Sequence, residues 1–350
     1  MPAQRSATAA SDTPQQTPCR VSLVMTVYNE GDSIRAVLES IRAQTRPPDE
    51  IVIVDGGSHD DTVAILRQQA GRLPLRVIQR PGCNISQGRN VAIRAARGEL
   101  IAVTDAGVRL PPDWLERLVA PLEADAGLHV AAGFFHADPR TPFEVAMGAA
   151  ALPLAEEIDP ARFLPSSRSV AFRKAAWEAV GGYPEWLDYC EDLILDLKLQ
   201  ARYAPFGWVP GAAVAFRPRS SLRAFWQQYY RYARGDGKAD LWRKRHAARY
   251  LTYLVAAPLI LWLGAARHPL WWALYLLGGA VYLRQPYRRL PTVWTWYRGP
   301  RPPTRRDRLA ALLWIPVIRL VGDVAKMVGY PAGWAWRLRH RPPDWRADRP

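Results

Sequence analysis

From residue 21 onward, short apolar runs rich in β-branched residues alternate with longer segments whose apolar positions recur at helical spacing. The runs at 21–27, 51–55, 75–79 and 100–105 have the length and composition of buried strands. Helical patterns lie near 31–44, 60–70, 86–97 and 113–124. This alternation predicts a mostly parallel sheet with helices on both faces. A less regular block at 128–216 predicts a strand at 128–135, a helix near 143–157, and residues 169–173 running into a helix at 174–180. Gly181-Gly182 ends that helix, and another is expected from Cys190 to Tyr203.

The pattern changes again beyond residue 217. Residues 227–245 are polar, aromatic and basic. Two apolar runs follow at 251–266 and 270–283, of 16 and 14 residues, separated by Arg267-His268-Pro269. Each falls short of the roughly 20 residues of a comfortable membrane crossing, so two thin crossings or one re-entrant hairpin both fit. Farther on, the apolar stretch 309–328 carries Arg319, Asp323 and Lys326 at i, i+4 and i+7. One charged face on an apolar helix suits the plane of a membrane interface, with Pro316 as a candidate kink.

Charge sharpens this division. Residues 1–216 hold 21 Lys and Arg against 26 Asp and Glu, whereas 217–350 hold 26 against 6, together with 11 of the 15 tryptophans. Basic clusters flanking Trp-rich apolar runs match an anionic membrane surface better than nucleic acid. Arginines and lysines stand on both sides of the 251–283 hairpin, while its turn holds only Arg267 and His268, which predicts both ends in the cytosol. The 49% apolar content excludes wholesale disorder. Cys19, Cys83 and Cys190 are too widely spaced for a disulfide framework or a zinc site. Residues 1–19 lack the apolar centre of a signal peptide and are expected to form a loose internal tail.

In a sheet of this kind ligands bind beyond the carboxyl ends of the strands. Tyr28-Asn29-Glu30, Asp55-Gly56-Gly57-Ser58 and Asp105-Ala106-Gly107 should meet on that rim. Asp55 can accept hydrogen bonds from a base or ribose, or it can simply cap its own turn. Asp105 can hold a hard divalent cation jointly with substrate phosphates, or serve as another turn residue. Glu191-Asp192 opens an apolar helix, where acids either favour the dipole or take a proton from an attacking hydroxyl. Gln228-Tyr229-Tyr230-Arg231-Tyr232 reads as a polar-aromatic site segment or as an interfacial basic helix.

Taken in order over residues 21–245, these pieces resemble the family 2 glycosyltransferases of the GT-A fold. The resemblance rests on Thr26–Glu30, on residues 54–62, on Gly88-Arg89-Asn90 ahead of Ala96-Arg97-Gly98-Glu99, on Asp105, on Gly181-Gly182-Tyr183, on Glu191-Asp192, and on Gln228-x-x-Arg231-Tyr232. It implies an α/β fold with a Rossmann-like domain for a nucleotide-diphospho-sugar, followed by a membrane-associated helical region. Tyr28, Glu30 and Asp55 would hold the nucleoside, Arg89 would lie near the nucleotide, and Gln228 and Arg231 would also serve the donor. Asp105 would bind Mg²⁺ or Mn²⁺ on the diphosphate. Asp192 would be the catalytic base with Glu191 beside it. Two positions depart from the family pattern: Gly107 replaces the second Asp of the metal motif, and Tyr232 replaces a Trp. The first change implies weak metal affinity or none.

The implied enzyme is an inverting, hexosyltransferase-type glycosyltransferase for cell-envelope polysaccharide or a lipid-linked acceptor. Its partners would be a nucleotide-sugar donor, that acceptor and anionic membrane lipids, with no nucleic acid. It would sit on a bacterial-type cytoplasmic membrane with its catalytic domain in the cytosol. The expected units are a tail at 1–19, a catalytic domain at 20–216, a basic juxtamembrane segment at 217–249, a hydrophobic hairpin at 250–284, and a basic region at 285–350 with an interfacial helix at 309–329. A nucleotidyltransferase would share the sheet, but it more often has a basic Gly-rich loop after strand one, and 26–31 contains no Lys or Arg. A methyltransferase would need a Gly-rich turn there. A non-catalytic membrane scaffold is the remaining alternative.

Overall fold

The four β-branched runs form β1 (Val21–Val27), β2 (Glu50–Asp55), β3 (Leu75–Gln79) and β4 (Leu100–Val103). They pair in parallel in the order β3-β2-β1-β4. The computed structural model describes residues 19–346, so the expected tail lies outside the described residues except for Cys19. Along β1 alternate side chains face opposite ways, as the pleat requires. Leu23 and Met25 pack under α1 (Gly31–Arg42), with Ile34, Val37 and Ile41 on its inner face. Val24 faces the other layer, built from α3 (Ile85–Ala95) and α7 (Glu191–Tyr203). The helix α2 (Thr62–Gln69) joins β2 to β3.

Beyond β4 the sheet is mixed, which corrects the mostly parallel expectation for this half. Its eight strands run β3-β2-β1-β4-β7-β6-β8-β5. Here β5 is Val108–Arg109, β6 is Val130–Ala137, β7 is Val170–Arg173 and β8 is Gly207–Phe216. β7 is antiparallel to both β4 and β6, and β6 and β8 are parallel. A parallel neighbour needs a crossover that returns over the sheet. The helix α4 (Trp114–Ala124) covers the sheet, but α5 (Pro142–Ala151) leaves that layer and packs against the carboxyl-terminal helices instead. The strand β8 has no clean alternation. Its register against β6 jumps after Trp208, and the exposed Pro210 and Gly211 lie in the irregularity, where a missing N–H is tolerated. The short α6 (Lys174–Ala179) follows β7.

The remaining chain is helical: α8 (Leu222–Ala239), α9 (Arg243–Tyr250), α10 (Ala257–Ala266), α11 (Ala273–Thr295) and α12 (Arg305–His340). Packing is continuous across residue 216. Phe225 of α8 is buried with Ile315 and Ile318 of α12 and with Val145 of α5. The two long helices meet backbone to backbone at glycines. A Cβ on Gly333 would sit 2.1 Å from the Arg234 carbonyl oxygen, and one on Gly237 would sit 2.3 Å from that of Tyr330.

A π-helical turn, Leu251–Ala256, joins α9 to α10 immediately before Pro258. Such a turn accommodates the N–H that proline lacks. Among the described residues one helix, Arg243–Ala266, is long and apolar enough to cross a membrane. The outer positions of the hairpin, such as Leu254, Leu276 and Val281, are exposed. The helix α12 runs unbroken through Pro316 and Pro331, with an exposed stripe at Leu313, Val317, Leu320, Val324 and Val328. Its charged face, Arg319, Asp323 and Lys326, lines an internal cavity.

Candidate active site

A cavity of about 1320 Å³ opens beyond the carboxyl ends of β1 and β4. Its rim is set by two turns clipped together. Asn29 takes the left-handed backbone conformation (φ 53°), which Asn tolerates. Its N–H donates to Ser58 Oγ at 2.9 Å, and its Oδ1 accepts from the His59 N–H at 2.9 Å. The Glu30 N–H donates to Thr62 Oγ1 at 2.8 Å. These bonds fix Tyr28, 57% exposed, and Glu30 on the cavity wall. Burial pushes the Glu30 carboxyl up, opposed by a hydrogen bond from the Ser33 hydroxyl and assisted by the charge of Asp105.

Asp55 sits differently. It is fully buried, and its carboxylate accepts from the N–H groups of Gly57 (3.1 Å) and Ser58 (3.2 Å) and from Ser58 Oγ (2.5 Å). It is not among the residues lining the cavity. These hydrogen bonds match the turn-capping alternative.

Arg89 is the centre of the site. Gly88 lets α3 lie against β1, since a Cβ there would meet Thr26 Cγ2 at 2.5 Å. That close approach carries Arg89 inward to 3% exposure. Its Nη1 donates to Glu191 Oε1 at 2.6 Å and its Nη2 to Asp105 Oδ1 at 2.9 Å. Burial opposes the guanidinium charge, but Asp105, Tyr183 and Glu191 outweigh it and push its pKa up. Glu191 and Asp192 open α7 after Cys190, whose φ of 65° turns the chain sharply into the helix. Burial, with Asp192 adjacent, pushes the Glu191 carboxyl up against the pull of Arg89. Asp192 is half-buried, lines the cavity and accepts from the Leu193 N–H at 2.9 Å.

Sequence reasoning did not single out Arg168. The Thr104 hydroxyl donates to its carbonyl at 2.9 Å, which ties the loop before β7 to the end of β4. Arg168 Nε then lies 3.8 Å from Asp105 Oδ2, and the guanidinium stacks 4.6 Å over the Phe216 ring.

Residues 22–175 match the model of glycosyl transferase family 2. Over that span the chain carries a family 2 glycosyltransferase domain. It is similar to the succinoglycan biosynthesis protein ExoA of Rhizobium meliloti, 27% identical over 301 residues, which cover 77% of this chain and 89% of that one. It also matches EpsH of Bacillus subtilis, 39% identical over 105 residues, 30% of either chain. An undecaprenyl-phosphate 4-deoxy-4-formamido-L-arabinose transferase of Pseudomonas fluorescens is 35% identical over 121 residues, 31% of this chain and 34% of its own. The last two matches span about a third of those relatives' length. Among solved structures, the mannosyltransferase PcManGT of Pyrobaculum calidifontis, in complex with GDP-Man and Mn²⁺, superposes with a TM-score of 0.57 at 22% identity, covering 86% of this chain and 88% of that one. The expected α/β, GT-A-type fold is borne out.

Beyond the matched residues, Gln228 lines the cavity from α8 and donates to the Tyr232 hydroxyl at 2.7 Å. Its Oε1 is buried without a hydrogen-bond donor among the described residues. Arg231 is turned outward. It is exposed, does not line the cavity, and donates to the hydroxyl of Tyr189 at 3.0 Å.

No group of three or more His, Cys, Asp or Glu suited to a metal occurs among the described residues. Asp105, 32% exposed at its side chain, keeps Oδ2 outside hydrogen-bond reach of Arg168. One free carboxylate oxygen fits a cation brought in on a diphosphate, not one caged by protein alone.

Proposed function

We propose that the chain is an inverting glycosyltransferase that moves a sugar from a nucleotide-diphosphate sugar to a hydroxyl of a lipid-linked or polysaccharide acceptor. The observation that carries this is the meeting of Tyr28, Glu30, Arg89, Asp105 and Asp192 around one cavity beyond β1 and β4. Tyr28 offers an exposed ring for the base, and Glu30 a carboxylate for base or ribose hydrogens. Asp55 serves indirectly, by holding the turn that faces them. Arg89 and Arg168 supply positive charge where the leaving diphosphate gains negative charge. A divalent cation held by Asp105 and the diphosphate would add to that charge.

Asp192 accepts the proton of the acceptor hydroxyl. The hydroxyl oxygen bonds to the anomeric carbon as the bond from that carbon to the diphosphate oxygen breaks, and the nucleoside diphosphate leaves. A double displacement would need a second carboxylate free to attack. Glu191 is held by Arg89 at 2.6 Å and is buried, which favours the single, inverting step.

The exposed apolar hairpin, the Arg243–Ala266 helix and the stripe on α12 support attachment to the cytosolic face of a bacterial-type cytoplasmic membrane, with anionic lipids meeting the basic flanks. A nucleotide-sugar panel with and without Mn²⁺, run on wild type and Asp192→Asn, tests the reading. The variant should lose about 10²–10⁴-fold in transfer while still binding donor. Transfer at the wild-type rate would remove Asp192 from its role, and turnover of no donor would sink the reading.

A further inference from the structure

The cavity continues past Asp192 to a second end between α8, α9 and α12, where Arg245, Arg249, Arg319 and Lys326 line it. Asp323 is the carboxylate set among them, and both its oxygens are engaged. Oδ1 accepts from Arg249 Nε at 2.9 Å, while Oδ2 accepts from the hydroxyls of Tyr282 (2.6 Å) and Tyr253 (3.0 Å). Arg249 is held from behind as well: its Nη1 donates to His246 Nδ1 at 3.2 Å, and His246 Nε2 donates to Asp236 at 3.1 Å. The other cations are poorly matched. Lys326 Nζ comes only within 4.0 Å of Asp323 and lies 4.9 Å from the centre of the Tyr229 ring. Arg319 stacks 4.3 Å over Tyr282, and its Nε is buried with no hydrogen-bond acceptor among the described residues.

Four cations around one saturated carboxylate leave positive charge that a partly buried site tolerates poorly. A buried guanidinium N–H without an acceptor calls for one. Burial, with Arg249, Arg245 and Arg319 nearby, pushes the Lys326 ammonium down to about 8 despite Asp323. The recess therefore suits an anion. Its position narrows the choice. Tyr253 and Tyr282 belong to the hairpin, and their neighbours Leu254 and Val281 are 63% and 69% exposed. An anion held here sits at the foot of a bare apolar surface, which suits an amphiphile with a phosphate head. The donor's diphosphate already has Arg89 and Arg168 at the other end.

We infer that this second end binds the phosphate or diphosphate of a lipid-linked acceptor, with its hydrocarbon chain against the hairpin and its transferable hydroxyl directed toward Asp192. This rests on the glycosyltransferase reading and adds the chemical class of its acceptor. Calorimetric titration of the full chain in a neutral maltoside detergent with farnesyl diphosphate, inorganic diphosphate and farnesol, and separately with UDP and GDP, tests it. Farnesyl diphosphate should bind more tightly than either of its halves. The double variant Arg319→Gln/Lys326→Gln should lose about tenfold or more in that affinity, and nucleotide affinity should hold within about twofold. Lys326→Arg should retain binding. Arg245→Gln, at an exposed position, should show a smaller loss in the same direction, whether or not the double variant folds. Inorganic diphosphate binding as tightly as farnesyl diphosphate would overturn the lipid assignment in favour of free phosphate. A parallel fall in UDP affinity would hand the cluster to the donor. Farnesyl diphosphate binding without any nucleotide binding would sink the glycosyltransferase reading and leave this site standing.

Discussion

At the sheet end of the cavity, Arg89 and Arg168 face Asp105, Glu191 and Asp192; at the helical end, Arg245, Arg249, Arg319 and Lys326 line the wall with Asp323, which only Arg249 and Lys326 approach within 4.0 Å. The first set is held by direct ion pairs of 2.6 and 2.9 Å that exist without any ligand. The second has one good ion pair, Arg249–Asp323 at 2.9 Å, and among the described residues leaves the rest of its charge without a short carboxylate contact. Preorganised charge of the first kind suits a reaction centre, where groups must not move as charge develops. Excess charge of the second kind suits a binding seat that is completed by what it binds.

Opposite responses to removing a cation would sharpen that contrast most. Arg89→Met leaves Glu191 buried without its cation and Asp105 with only the 3.8 Å approach of Arg168, and should cost about 3–5 kcal/mol in denaturant unfolding. Adding Glu191→Gln should recover part of the loss, because the two substitutions act on one pair. Lys326→Met, by contrast, relieves repulsion from three arginines and should leave the ligand-free protein as stable or more so. Equal losses at the two ends would break the comparison.

The helical end also depends on how closely two helices approach. Gly333→Ala puts a methyl group 2.1 Å from the Arg234 carbonyl oxygen and 2.8 Å from the Lys238 nitrogen, both backbone atoms. Overpacking of this kind costs about 1–3 kcal/mol. Because α12 carries Arg319 and Lys326, the variant should lose farnesyl diphosphate binding while UDP binding at the sheet end persists. Joint loss of both would mean that the two ends are not separable.

The sheet end was the more legible in sequence. Its strands are β-branched runs closed by polar residues, and topology alone sends Tyr28, Glu30 and Asp105 to one rim. The direction of a single carboxylate was not legible: Asp55 is consumed by the amides of its own Gly57 and Ser58. Arg168 carries no spacing signal, since its partner Asp105 comes from a distant strand end. On α12 the 3.6-residue period correctly groups Arg319, Asp323 and Lys326, but it cannot say which way the group faces. An ordinary soluble helix turns charge outward, and here the apolar stripe is outside instead.

The smallest expected change in stability tests the metal at the sheet end. Nothing lies within 4 Å of a Cβ placed on Gly107, and its backbone is not in the left-handed region, so Gly107→Asp should shift stability by no more than about 0.5 kcal/mol. Its consequence for binding should be larger. Asp105 alone leaves a cation dependent on diphosphate and water, while a second carboxylate two residues on adds an oxygen ligand and a negative charge, which raise affinity for a hard cation. Titrating UDP with and without Mn²⁺ should show Mn²⁺ enhancing UDP binding on the order of tenfold more in the variant than in wild type. If the Mn²⁺ effect is the same in both, the cation does not sit at Asp105, and the charge on the leaving diphosphate falls to Arg89 and Arg168.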